Sequence, residues 1–183
     1  MRLRRELQRL KLDENHFQLF GVPARFDLDT VALEERYREL QREVHPDRFA
    51  AASQAEQRVS MQLAIRVNEA YQTLRSPLLR AGYLLALSGV DPEFETNTAM
   101  PAEFLAGQME KRDELAAAAA AGDRERMIAL SSGLRLEQDA LLAGIARQLE
   151  AGDWAQAAAT LRQLKFLEKF GEDIAAAEED MET

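Results

Sequence analysis

The sequence predicts an all-α protein built as two helical domains. Gly and Pro are sparse, at 9 and 5 of 183 residues. Long Ala/Leu/Glu/Arg/Gln stretches carry apolar residues at helical spacing, and no run alternates Val, Ile, Thr and aromatic residues as a strand would.

Residues 1–14 are mostly polar, with leucines at 3, 7 and 10 that allow a short amphipathic helix but no obvious cap, and they read as an N-terminal extension whose order the sequence leaves open. From Asn15, the segment His16-Phe17-Gln18-Leu19-Phe20 closes at Gly21 with Pro23 beyond it, the pattern of a short helix with a glycine stop. The next helix opens at Asp29 or Thr30. Its stripe is Leu33, Tyr37, Leu40 and Val44, at i, i+4, i+7 and i+11. Pro46 forbids helix through His45, so 45–52 reads as a loop. Ser53 caps a third helix over about residues 54–75, with Val59, Leu63, Val67, Ala70 and Leu74 on one side. Two long helices with a short loop between them pack antiparallel. Pro77 starts a fourth helix that ends near Gly89.

Residues 89–99 hold Gly89, Asp91-Pro92 and Asn97-Thr98 with little periodicity and are expected to link the domains. Helices follow near 101–121, 123–150 and 153–178. Gly122-Asp123 and Gly152-Asp153 each place a C′ glycine beside an N-cap aspartate. Short turns between long helices predict an antiparallel three-helix bundle over 100–178, ending in a frayed acidic tail at 179–183.

Composition excludes several functions. The 23 Lys and Arg face 32 Asp and Glu, a net charge of −9 that repels phosphate on average, so nucleic acid is not expected as a partner. With no cysteine, the chain can form no disulfide, thiol nucleophile or thiolate-ligated metal or iron–sulfur site. No apolar run approaches the roughly 20 residues of a membrane span, and residues 1–10 lack a secretory apolar core. A cytoplasmic protein that does not bind membranes is expected.

The tripeptide His45-Pro46-Asp47 occupies the loop between the two long helices. Proline fixes its own φ and holds its predecessor extended, so His45 and Asp47 project from a stiffened turn with less entropy to lose on docking. Around the preceding helix, Arg38 and Arg42 lie about 130 to 170 degrees from the apolar stripe, with Glu35, Glu39 and Glu43 on the opposite flank. A solvated loop and a solvated charged face account for the same residues. No second histidine, serine or cysteine arrangement accompanies His45 and Asp47, so no catalytic residue, resident cofactor or metal site is assigned. The enzymatic alternative is a metal-dependent hydrolase using His45, Asp47 and a distant carboxylate.

A short apolar helix, an amphipathic helix, His45-Pro46-Asp47-Arg48-Phe49 and the long helix through Asn68-Glu69-Ala70-Tyr71 resemble the J domain of DnaJ-type co-chaperones. Three further segments narrow the resemblance to the HscB family of iron–sulfur-cluster co-chaperones. They are Leu74 to Gly89 with Ser76-Pro77-Leu78-Leu79-Arg80-Ala81, Phe104 to Leu115 with Gln108-Met109-Glu110-Lys111-Arg112, and Leu164-Lys165-Phe166-Leu167-Glu168-Lys169. The absence of cysteine matches the bacterial form, whose eukaryotic relatives carry zinc-binding cysteine pairs.

This resemblance implies a J domain over 15–88 and a client-binding bundle beyond it. His45, Pro46, Asp47, Arg38, Arg42 and Arg48, with Arg36 at the stripe's edge, would meet an ATPase chaperone of the HscA or DnaK type. Leu105, Ala106, Met109, Glu110 and Asp113, with Lys165 and Phe166, would hold an iron–sulfur scaffold protein of the IscU type, while Phe104 and Leu115 go to the core. Lys165 stands where the family has an arginine, and Ala106 where it has a larger apolar residue. Delivery of a different client is the alternative within this class, and ordinary bundle core is the alternative for Leu105 and Met109.

Overall fold

In the computed structural model, which describes residues 14–94 and 99–182, the regular elements among the described residues are α-helices and one 3₁₀ turn, with no strand. The extension expected over 1–14 therefore lies almost wholly outside the described residues, as do 95–98 of the linker. By internal contacts the chain divides into two compact units, Met1–Leu84 and Leu85–Thr183.

In the first unit each helix begins where a side chain can satisfy its unpaired N–H groups. Helix α1, His16–Phe20, has a capping box in which Asn15 and Gln18 exchange hydrogen bonds, and Gly21 closes it at φ 65°, a conformation that favours glycine. Helix α2, Thr30–Val44, starts at Asp29 rather than Thr30, because the Asp29 carboxylate accepts from both the Val31 and Ala32 N–H groups. Helix α3, Gln54–Arg75, begins with a second capping box, Ser53 with Glu56. Helix α4, Pro77–Leu87, has the expected proline at its first position.

Most of the expected stripes are buried: Phe17 and Phe20 from α1, Leu33, Leu40 and Val44 from α2, and Leu63, Val67, Ala70 and Leu74 from α3, while Tyr37 and Val59 are half-buried. Helices α2 and α3 are further tied by stacked Tyr37 and Tyr71 rings, with centroids 3.9 Å apart and planes 6° from parallel. Tyr37 also donates its hydroxyl proton to Asn68 at 2.8 Å.

Residues 45–52 are more ordered than a plain loop. Pro46–Phe49 form a 3₁₀ turn, and Ala50 then donates its N–H to the Asp47 carbonyl. The turn ends on Phe49, only 1% exposed, and burial of that ring favours it.

Helix α1 is held by His16, whose ring stacks on Tyr83 at 4.3 Å and whose backbone N–H donates to the Tyr83 hydroxyl at 3.0 Å. Burial, and then the nearby Arg66 guanidinium, hold the imidazole below its ordinary value, which Glu69 partly offsets. The folded ring thus resists a proton that the unfolded chain accepts near pH 6.5. The stability it supports is complete above that pH and declines as pH falls through it. The drop in melting temperature from about pH 7.5 to about pH 5.5 is expected to be smaller in His16→Phe, which keeps the stack without the titration. Equal drops in both proteins would exclude a contribution from the ring.

The second unit contains α5, Ala102–Ala121, α6, Arg124–Glu150, and α7, Trp154–Glu182, each packed on the other two. Its turns have the expected chemistry: Gly122 and Gly152 lie at φ 64° and 72°, and Asp123 and Asp153 accept from the N–H groups of Arg126 and Gln156. The core gathers Leu115, Ala118, Met127, Leu130, Leu134, Leu167, Phe170 and Ile174. Two expectations need correction. The segment 179–182 is not a frayed tail but the last turn of α7, because Ala177 and Met181 prolong the stripe of Ile174 onto the core. Phe104 is not a core residue like Leu115, for it is half-buried and rests against the core's edge.

Candidate functional site

In the first unit, His45, Pro46, Asp47 and Arg48 are all exposed. His45 takes the extended backbone that a following proline demands, φ −57° and ψ 128°, and its Nδ1 accepts from the Asp47 N–H at 3.3 Å. Through this hydrogen bond the imidazole braces the turn, with the Asp47 carboxylate 3.6 Å from the same nitrogen. Underneath, the Ser60 hydroxyl donates to the Val44 carbonyl at 2.8 Å, fixing the end of α2 to α3.

Beside the turn lies an open groove of about 840 Å³. Arg38, Gln41, Arg42, Val44, His45, Pro46 and Arg48 line one side and Ala64 and Asn68 of α3 the other, with no carboxylate among them. Three arginines on a protein of net charge −9 make this an arrangement suited to an acidic surface. Their bonding differs. Arg38 pairs with Glu34 across one helical turn, and Arg42 Nε donates to the Arg38 carbonyl at 3.2 Å. Arg48 turns back and donates from Nη1 to the carbonyls of Arg42 and Glu43 at 3.1 and 3.2 Å, at the negative end of α2. Arg48 thus helps hold the loop on the helix. Arg36 is drawn away by Glu39 at 3.0 Å and Glu43 at 3.7 Å and does not line the groove.

In the second unit, Leu105, Ala106, Met109, Glu110 and Asp113 are all exposed on α5, with Met109 67% and Leu105 37% accessible. They are not bundle core. Lys165 is exposed and paired with Glu168 at 3.5 Å. Phe166 is half-buried and forms a T-shaped pair with Phe104, ring centroids 5.7 Å apart and planes at 73°, which ties α7 to α5. Solvated large apolar groups beside carboxylates suit a protein partner with an apolar, basic surface.

Sequence reasoning missed Arg112. It lies seven residues after Leu105, within about 20° of it around the helix, and its guanidinium stands over the Phe166 and Phe170 rings at 5.6 and 5.8 Å. The spacing was visible in the sequence, but the rings belong to another helix. Among the described residues, no three His, Asp or Glu side chains are placed to hold a metal ion, and no helix is long and apolar enough to cross a membrane.

A helical hairpin with an exposed His-Pro-Asp tip, followed by a helical bundle, defines a J-domain co-chaperone. A family model described as the HSCB C-terminal oligomerisation domain matches residues 100–175. The chain is 48% identical over 174 residues to the co-chaperone protein HscB homolog of Burkholderia multivorans, covering 95% of this chain and 99% of the relative. Its fold is similar to that of chaperone HscB from Vibrio cholerae, with a TM-score of 0.83 and 37% identity over 92% of this chain and 99% of that one. It is also similar to human co-chaperone protein HscB, with a TM-score of 0.85 and 32% identity over 92% of this chain and 84% of that one. The chain belongs to the HscB family of co-chaperones, a non-enzymatic class.

Proposed function

We propose that this protein stimulates the ATPase of a specialised heat-shock chaperone of the HscA type through the first unit, and delivers an IscU-type iron–sulfur scaffold held on the second, in the bacterial cytoplasm. The observation that carries the reading is the exposed, proline-stiffened His45-Pro46-Asp47 turn opening onto an arginine-lined groove free of carboxylates. The groove's guanidinium groups offer short-range ion pairs to an acidic surface, and the stiff turn docks with little further ordering. The face made by Leu105, Ala106, Met109, Glu110, Asp113, Lys165 and Phe166 holds the scaffold. One chain carrying both contacts raises the effective concentration of client at chaperone.

The test is a steady-state ATPase assay of the cognate chaperone with the full chain. The parent is expected to raise turnover and His45→Gln to abolish most of that rise, while the scaffold binds both proteins equally. Equal stimulation by both would overturn the assignment of the turn.

A further inference from the structure

The client face contains a feature that its exposed residues do not explain. Phe166, Phe170 and Asp173 follow one another along α7 at i, i+4 and i+7, on one side of the helix. Arg112, reaching from α5, engages all three. Its guanidinium carbon stands 5.6 Å from the centroid of Phe166 and 5.8 Å from that of Phe170, and Nη1 forms an ion pair with the Asp173 carboxylate at 2.7 Å. Phe170 is wholly buried in the bundle core and Phe166 only half-buried, so one planar cation joins a fixed ring to one at the surface. The Phe104 and Phe166 rings meet in a T-shaped pair, with their planes at 73°. A half-exposed phenylalanine ordinarily samples several staggered wells. Here the guanidinium and the Phe104 ring both contact it, while the ion pair with Asp173 holds the guanidinium in place.

We propose that Arg112 is a positioning residue of the client face, held over Phe166 and clamped by Asp173 so that the ring is presented to the scaffold in one orientation. This rests on the reading of that face as the scaffold site. The ring is then ordered when the protein folds rather than when the scaffold arrives, which removes an entropic cost from binding. The planarity of the group is essential, because a lysine at this position keeps the charge beside Asp173 but cannot stack on two rings.

The experiment measures scaffold affinity and the nuclear Overhauser contacts between the Phe104 and Phe166 rings in the full chain, for the parent, Arg112→Leu, Arg112→Lys, Phe166→Ala and the double variant Arg112→Leu/Phe166→Ala. Arg112→Leu is expected to weaken scaffold binding about three- to tenfold and to erase the ring contacts, with its circular dichroism spectrum unchanged. Arg112→Lys is expected to show the same losses with a melting temperature close to the parent's, and it decides the matter if Arg112→Leu folds poorly. In the Phe166→Ala background, Arg112→Leu is expected to add little, because the ring it orients is gone. Parent-like affinity in Arg112→Lys, or an undiminished effect of Arg112→Leu without Phe166, would overturn the positioning role while leaving the scaffold site standing. Parent-like affinity in Phe166→Ala would overturn the scaffold site and this inference with it.

Discussion

Replacing Leu105, Met109 and Phe166 together by alanine is expected to weaken binding of the iron–sulfur scaffold by about a hundredfold or more, with the bundle still folded. The size follows from interface energetics. A few central apolar or aromatic anchors carry most of an interface's binding energy, at about 2 kcal/mol or more each, and about 2.8 kcal/mol is already a hundredfold. The fold survives because Leu105 and Met109 are solvated and leave no cavity when shortened, and Phe166 is only half-buried. Titration calorimetry with the purified scaffold reads the affinity, and a thermal melt followed by circular dichroism reads the fold. Affinity within threefold of the parent would remove the client face from α5 and α7. A lost melting transition would instead place these side chains in the core, contrary to their exposure.

The second large effect concerns a residue that touches no partner. Phe49→Ala is expected to destabilise the first unit by about 3 to 5 kcal/mol, the range for deleting a buried aromatic ring. It should also abolish ATPase stimulation although His45, Pro46 and Asp47 are unchanged. Phe49 is 1% exposed and ends the 3₁₀ turn that begins at Pro46, so removing the ring removes the reason for the turn to close. The brace between His45 Nδ1 and the Asp47 N–H then has no fixed geometry. Phe49→Leu refills most of the volume and is expected to recover stability and stimulation together. Urea unfolding beside the ATPase assay separates the outcomes. Full stimulation by a destabilised Phe49→Ala protein would show that the tripeptide works without its support.

Much of this architecture can be read along the chain because its causes are local. The caps at Asn15, Asp29, Ser53, Asp123 and Asp153 act within three residues of themselves, so residue type and spacing announce them. The stripe of Leu33, Leu40 and Val44 is buried as its period requires. Exposure of Arg38 and Arg42 follows from the same period, since residues opposite a buried stripe face water. The α5 face was ambiguous by the same logic. Two apolar stripes competed there, and only packing against α6 and α7 settled that Leu115 is buried and Leu105 and Met109 are not.

By itself, then, the sequence determined seven helical segments in order, most of their ends, and a rigid tripeptide between two of them, because hydrogen bonds over three or four residues and apolar periodicity are properties of a short stretch of chain. Only the tertiary structure decided that Arg48 turns back to the end of α2, that α7 runs on to Glu182 along the core, that the loop forms a 3₁₀ turn ending on a buried Phe49, and that the Arg112 guanidinium stands over rings from another helix. Each of those depends on a surface made by residues far apart in the chain, and that surface exists only once the helices have packed.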